Sequence, residues 1–444
     1  MYTFSSKLKI VAFALMIIGF LGVAYGFFSA PSSVEDVKLI MQDSHDAHGE
    51  VAENHEGAEA VKHDDTATYE AEEHSDDAHA EHVLHLLQNK PWSALYVALF
   101  FFFMISLGTL AFYAIQHAAQ AGWSIVLFRV MEAIAAYLPV GGILLFVFFV
   151  LSSLHMNHLF TWMDPEVVAH DELIQNKAGY LNVPFFLIRA AIYMAGWIWY
   201  QQHSRKLTLA QDNASDIGNY TKLFKRSAAF LVFFLVTESM MSWDWIMSLD
   251  PHWYSTLFGW YVFASMIVSA ITTIALVSIY LKGKGYLEFV NDSHLHDLAK
   301  YMFGFSIFWT YLWFSQFMLI WYADIPEEVT YFVTRFNDYR LPFLGMVVLN
   351  FVFPLLVLMN SDYKRVNWFI VSTGIIILIG HYIDIYVMVM PATVGDQWHF
   401  GISEISSALL ILGIFIYVVF TALSKAPLLA KGNPFIKESE HFHY

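Results

Sequence analysis

The chain has 444 residues, 57% of them hydrophobic and only 14% charged, with a mean hydropathy of +0.50. That much apolar surface cannot be hidden in a water-soluble core, so the composition excludes a soluble globular protein and requires a polytopic membrane protein. The formal charge is −16 and cysteine is absent, which excludes disulfides, covalently attached c-type haem and Cys-ligated iron–sulfur clusters; any redox centre must belong to a partner.

Lys7 and Lys9 precede an apolar run over residues 10–28. This run is longer than the apolar region of a signal peptide, about 7 to 15 residues, so it is expected to be a retained spanning helix within residues 1–30. Residues 31–91 form an acidic, His-rich insert. Between 31 and 90 there are sixteen Asp or Glu against three Lys, so most of the negative charge is this segment's alone. It carries His45, His48, His55, His63, His74, His79, His82 and His85. His79, His82 and His85 share a spacing of three and would lie along one helix face, a weak candidate for transition-metal binding. The competing reading is a solvated acidic segment.

Nine further apolar runs follow, over residues 92–116, 123–151, 182–201, 224–248, 254–281, 301–321, 341–360, 366–390 and 403–423. Each is near the ~20 residues that cross ~30 Å of hydrocarbon. The expected fold is all-α with ten transmembrane helices. If the N-terminus is cytoplasmic, fifteen Lys or Arg fall in inner segments and six in outer ones, which places both termini inside and the acidic insert outside.

Three landmarks recur in order. Trp162-Met163-Asp164-Pro165-Glu166 is echoed by Tyr322-Ala323-Asp324-Ile325-Pro326-Glu327, and Val183-Pro184-Phe185 by Leu341-Pro342-Phe343. Asp244 and Pro251 are seven residues apart, as are Asp384 and Pro391. Proline suits a helix's first turn and the position just past its last. The pattern divides the chain into a four-helix bundle over 92–251, a second over 253–391, and a last helix with its tail over 392–444. Both units start on the same side, which makes them parallel repeats.

Ionised groups at bilayer depth cost about 2.5–3.5 kcal/mol on insertion scales, so they need partners or water and are functional candidates. Glu132 lies ~13 Å and Glu238 ~21 Å into their helices at ~1.5 Å per residue. Arg129 and Glu132 stand at i,i+3, as do His381 and Asp384, either as structural pairs or as proton carriers. With Asp244, these six residues are candidates for a proton path. Arg189 enters its helix from the outer side and either binds a carbonyl or carboxylate there or snorkels to the interface; with Asp164 it is a quinone-adjacent candidate. His117, His155, His158 and His381 do not form an axial haem pair, and no nucleotide-binding fingerprint or nucleic-acid signature is present.

Ten helices in two parallel units, the run Ser242-Trp243-Asp244-Trp245-Ile246-Met247-Ser248-Leu249-Asp250-Pro251-His252-Trp253-Tyr254-Ser255-Thr256 and the run Trp321-Tyr322-Ala323-Asp324-Ile325-Pro326-Glu327-Glu328 resemble the polysulfide-reductase-type (NrfD-family) membrane subunits of bacterial alternative complex III. The resemblance spans residues 92–423. It implies an inner-membrane subunit of a quinol:cytochrome c oxidoreductase that holds no redox cofactor itself. The implied substrate of the complex is menaquinol or another quinol. The implied partners are a homologous ten-helix sister, iron–sulfur and multihaem cytochrome c subunits on the outer face, and a terminal oxidase as an alternative electron acceptor. From the residues alone, a secondary transporter using midplane carboxylates and a purely structural anchor remain open.

Overall fold

The computed structural model describes residues 2–39, 42 and 67–443, with side chains in the last stretch from His79 onward. His45, His48, His55 and His63, and the side chain of His74, lie outside the described residues. Helix is the only regular secondary structure among those described. Ten helices are long and apolar enough to cross a membrane, and are numbered here α1 (Ser6–Phe28), α2 (Ala67–Ala118), α3 (Ile125–Ser153), α4 (Val183–Gln211), α5 (Gly218–Leu249), α6 (Phe258–Gly283), α7 (Asp292–Ala323), α8 (Arg340–Leu358), α9 (Asn367–Thr393) and α10 (Ile402–Ser424). Ten crossings return the C-terminus to the side of the N-terminus. That side is called the termini side below.

Local chemistry sets the helix starts. Asn182 accepts the Phe185 amide ahead of Pro184. Asn291 and His294 form a reciprocal capping box at the start of α7, each satisfying a backbone donor that the first turn leaves open. Because of that cap α7 begins nine residues before the apolar run at 301. The larger difference is at α2. The apolar pattern starts at Trp92, but the helix runs through Pro91 from Ala67. Apolar periodicity marks where lipid begins, whereas backbone hydrogen bonding continues into the polar segment beyond it.

Helices α2, α3, α4 and α5 pack in a closed ring, and α6, α7, α8 and α9 pack in another. The two rings meet along α2 and α6. The α2 window is 94% buried and the α6 window 78%, against 17% for α1, so α2 and α6 form the spine while α1 faces its surroundings. α1 is held by α10, where Gly19, Gly22 and Gly26 admit Leu410, Ser406 and Ser403, and Gly413 admits Ala12 and Met16. Such close backbone approach is a main source of helix cohesion in lipid. The C-terminal tail crosses the termini side: Gly432 N–H donates to Asp212, Ser439 engages Trp123 and Val126, and Asn291 donates to the Phe442 carbonyl. The tail therefore ties the first ring to the second.

Three of the membrane helices are not regular, α5 ending in a 3₁₀ turn at Met247–Leu249. α3 opens with a 3₁₀ turn at Ile125–Leu127 and is reset between Ala135 and Leu138. α8 contains a π-helical turn, Val348–Val352, just before Pro354. Such turns interrupt the i to i−4 ladder and often mark functional positions.

A Cβ at Gly413 would fall 2.8 Å from the Ala12 carbonyl and 2.9 Å from the Met16 amide. Gly413→Leu is therefore expected to lift α1 off α10. Since the chain has no cysteine, a single Met16→Cys label reads this directly: reaction with a lipid-soluble maleimide should be several-fold faster in the Gly413→Leu background, and equal rates would contradict the packing described.

Candidate functional site

The buried ionisable groups fall into separate clusters. On the termini side of the first ring, Arg129 donates to Glu132 Oε2 at 2.7 Å and to Asp212 Oδ2 at 2.5 Å. Thr208 and Tyr113 hydroxyls donate to Glu132 Oε1 at 2.7 and 3.0 Å. Glu132 is thus fully hydrogen-bonded. The i,i+3 spacing in the sequence gives half of this arrangement. Asp212 stands 83 residues from Arg129 at the end of α4, and no local pattern points to it.

On the opposite side of the same ring, Arg189 grips Asp244 through both oxygens, with Nε–Oδ2 at 2.8 Å and Nη2–Oδ1 at 2.9 Å. A third N–H reaches the Tyr180 carbonyl at 3.0 Å, and the guanidinium carbon lies 3.9 Å from the Tyr180 ring and 4.3 Å from the Phe185 ring. Tyr193 adds a donor to Asp244 at 3.2 Å. Arg189 therefore neither snorkels nor waits for a ligand; it is the counter-ion of Asp244, in the two-pronged geometry that suits a carboxylate.

The second ring solves the same problem differently. Asp384 is fully buried and accepts from Tyr261, from Ser265 at 2.5 Å, from Trp309 Nε1 at 2.9 Å, and lies 3.3 Å from His381 Nδ1. Counting from the matched Pro-Phe starts, Val347 stands where α4 has Arg189; counting from the matched Asp244 and Asp384, Met241 stands where α9 has His381. One unit meets its carboxylate with a permanent cation, and the other with neutral donors and a titratable ring. His381 Nε2 is buried without a partner, as are both amide atoms of Asn350 in the π-turn and the donors of Gln316 and Trp313. Gln316, Trp313 and Asp384 line a cavity of about 10 Å³, the space one water molecule needs. Glu238 stands apart from these clusters, buried and with Oε1 unpartnered.

Cavities connect the rings on the side away from the termini. The 10 Å³ space shares Tyr331 and Met388 with one of about 80 Å³, lined also by Asp250 and Arg335. That one shares Met247 and Trp253 with an aromatic groove of about 420 Å³ bearing Tyr180, Trp243 and Tyr254. Arg335 had the look of an ordinary loop charge in the sequence. It is buried instead: it donates to the Tyr331 carbonyl at 2.8 Å, stacks on the Tyr331 ring and makes no ion pair among the described residues. Burial pulls its pKa below the usual arginine range.

The other candidates sit at the rim. Asp164 caps the short helix Pro165–His170 and lies 3.4 Å from His158. His79, His82 and His85 are exposed along α2, with His85 edge-on to His158. Among the described residues no group of three or more His, Asp or Glu is arranged to hold a metal ion. One helix face supplies aligned imidazoles but no converging third ligand.

Removing one partner of a buried ion pair leaves the other uncompensated, at a typical cost of 3–5 kcal/mol. Arg189→Gln and Asp244→Asn should each destabilise the folded chain by about that much, while the double substitution costs clearly less than their sum. Denaturant titration in detergent checks this, and additive losses would argue against the pair.

No family model matches the chain, and no curated protein matches it.

Proposed function

We propose that this chain is an integral subunit of a quinol:cytochrome c, or quinol:terminal oxidase, oxidoreductase of the alternative complex III type, and that its second helical ring relays protons. In this reading it lies in a bacterial inner membrane with both termini in the cytoplasm. It carries no redox cofactor and works beside a homologous sister and iron–sulfur and multihaem subunits. The resemblance of the Ser242–Thr256 and Trp321–Glu328 runs supports the family. The proton role rests on one observation: the wholly buried His381–Asp384 pair keeps a free ring nitrogen in an interior with other unpartnered polar atoms.

The chemistry follows from that pair. With Nδ1–H donated to Asp384, His381 Nε2 is left as the basic nitrogen. A proton arriving there makes an imidazolium that the adjacent carboxylate stabilises. Tyr261, Ser265 and Trp309 hold the carboxylate in place, so it stays put as charge comes and goes. In the first ring the corresponding carboxylate is bound to Arg189 and has no such freedom. The aromatic groove beside Tyr180 gives a surface on which a flat quinol ring can stack, near Arg189 and Asp244, and would supply protons close to this relay.

Unlike a rocking transporter, the chain does not pair its interrupted helices across the two units: α8 carries the π-turn whereas its counterpart α4 is continuous, and α3 is reset between Ala135 and Leu138 whereas its counterpart α7 is continuous. Such transporters pair broken helices across their repeats.

Asp384→Asn and His381→Gln, made in the assembled complex in liposomes, should leave quinol oxidation largely intact and reduce proton translocation by roughly 10²-fold, in the range for loss of a positioned acid–base group. Unchanged proton-to-electron stoichiometry in both variants would leave the ring a scaffold.

A further inference from the structure

On the termini side, between α4 and α10, lies an open groove of about 420 Å³ lined by Ala136, Gln201, Arg205, Leu209, Tyr417, Val418, Thr421, Ala422 and Lys425. Arg205 is anchored across it by Nη2 donating to the Ala422 carbonyl at 2.7 Å. That bond sets the guanidinium level with Ala422, three residues before Lys425 at the end of α10. At ~1.5 Å rise per residue the backbone of Lys425 lies about 5 Å beyond that level along the helix axis, within reach of its flexible side chain. Neither Arg205 nor Lys425 forms an ion pair among the described residues. Thr421 and Tyr417 hydroxyls and the buried Gln201 amide share the lining. Two cations with no directly bound anion, ringed by neutral donors and with the already paired Glu132 as the nearest acid acting on Arg205, leave room for a further anionic ligand.

We propose that this groove binds the phosphate of an anionic phospholipid, held between Arg205 and Lys425, with its acyl chains running along α4 and α10. Three features favour a lipid over another anion. The groove lies at the ends of two membrane helices, where phosphates of a bilayer leaflet sit. Toward the membrane interior its lining carries the apolar side chains of Ala136 and Val418 beside Gln201 and Tyr417. The positively charged ends match the leaflet that the distribution of Lys and Arg assigns to the cytoplasmic side, where basic pockets between helices take lipid head groups. Arg205 gains from such a ligand because its planar N–H groups can pair with two phosphate oxygens while the bond to Ala422 is kept. The lipid would then fill the seam between α4 of the first ring and α10.

The inference is independent of any redox role. It is tested on the full chain reconstituted in phosphatidylcholine nanodiscs with or without phosphatidylglycerol. Phosphatidylglycerol should raise the unfolding temperature, and native mass spectrometry should show retained anionic lipid. Each charge removed near a membrane surface weakens anionic lipid binding by about fivefold. Arg205→Gln with Lys425→Gln should therefore lose roughly 25-fold in lipid affinity. Lys425→Gln alone, at an exposed site, should lose about fivefold without a folding defect. The same lipid preference in both variants overturns the proposal. So does stabilisation reproduced by inorganic phosphate alone, or an acidic side chain of a neighbouring subunit found between Arg205 and Lys425.

Discussion

A carboxylate placed in hydrocarbon must bring its own solvation, and the architecture of this chain follows from how each one is supplied. Asp244 receives two guanidinium N–H groups and a phenol. Glu132 receives a guanidinium, a phenol and a hydroxyl. Asp384 receives a phenol, a hydroxyl, an indole and an imidazole. Each set draws on at least two helices. The bonds that make the charge tolerable therefore also fix the relative position of helices that have no hydrophobic drive to associate in lipid.

The two rings share their order of helices and their Asp-Pro ends, yet they differ in the chemistry at the matched carboxylate. The first ring meets its carboxylate with an arginine on the fourth helix of the chain, and the second meets its own with a histidine on the ninth and neutral donors. The two rings share a frame but differ at two matched positions, Arg189 opposite Val347 and Met241 opposite His381, so one carboxylate is held by a guanidinium and the other by neutral donors and an imidazole, while buried polar atoms without partners occur in both rings. The π-turn at Val348–Val352 falls in the second ring as well, and it brings Asn350 against Gly380, one residue from His381.

Away from the termini adjoining cavities lie between the rings, and Arg335 and Asp250 both line the middle one. On the termini side the rings are tied by the C-terminal tail. The chain is cross-braced by its tail at one surface, where a groove of about 420 Å³ also opens between α4 and α10, and carries a row of adjoining cavities at the other.

The sequence by itself determined the ten spans, their alternation, the duplicated frame and the list of acids that lie at depth, because apolar run length and the cost of burying charge are properties of single helices. It also gave the i,i+3 pairs, which one helix presents on one face. It could not give the partner of Asp244, the part of Asp212, the buried state of Arg335, or the donors that Tyr261, Ser265 and Trp309 bring to Asp384. The contacts of Asp244 with Arg189 and Tyr193, of Asp212 with Arg129, and of Asp384 with Tyr261, Ser265 and Trp309 join positions from 51 to 123 residues apart, and they arise only when helices close into rings. The start of α2 was hidden for a related reason: hydropathy reports contact with lipid, while the helix itself is held by backbone bonds that run on past it. Which acids are matched and which stay free was decided by the tertiary structure, since solvation of a charge in oil depends on what the neighbouring helix happens to present at the same height.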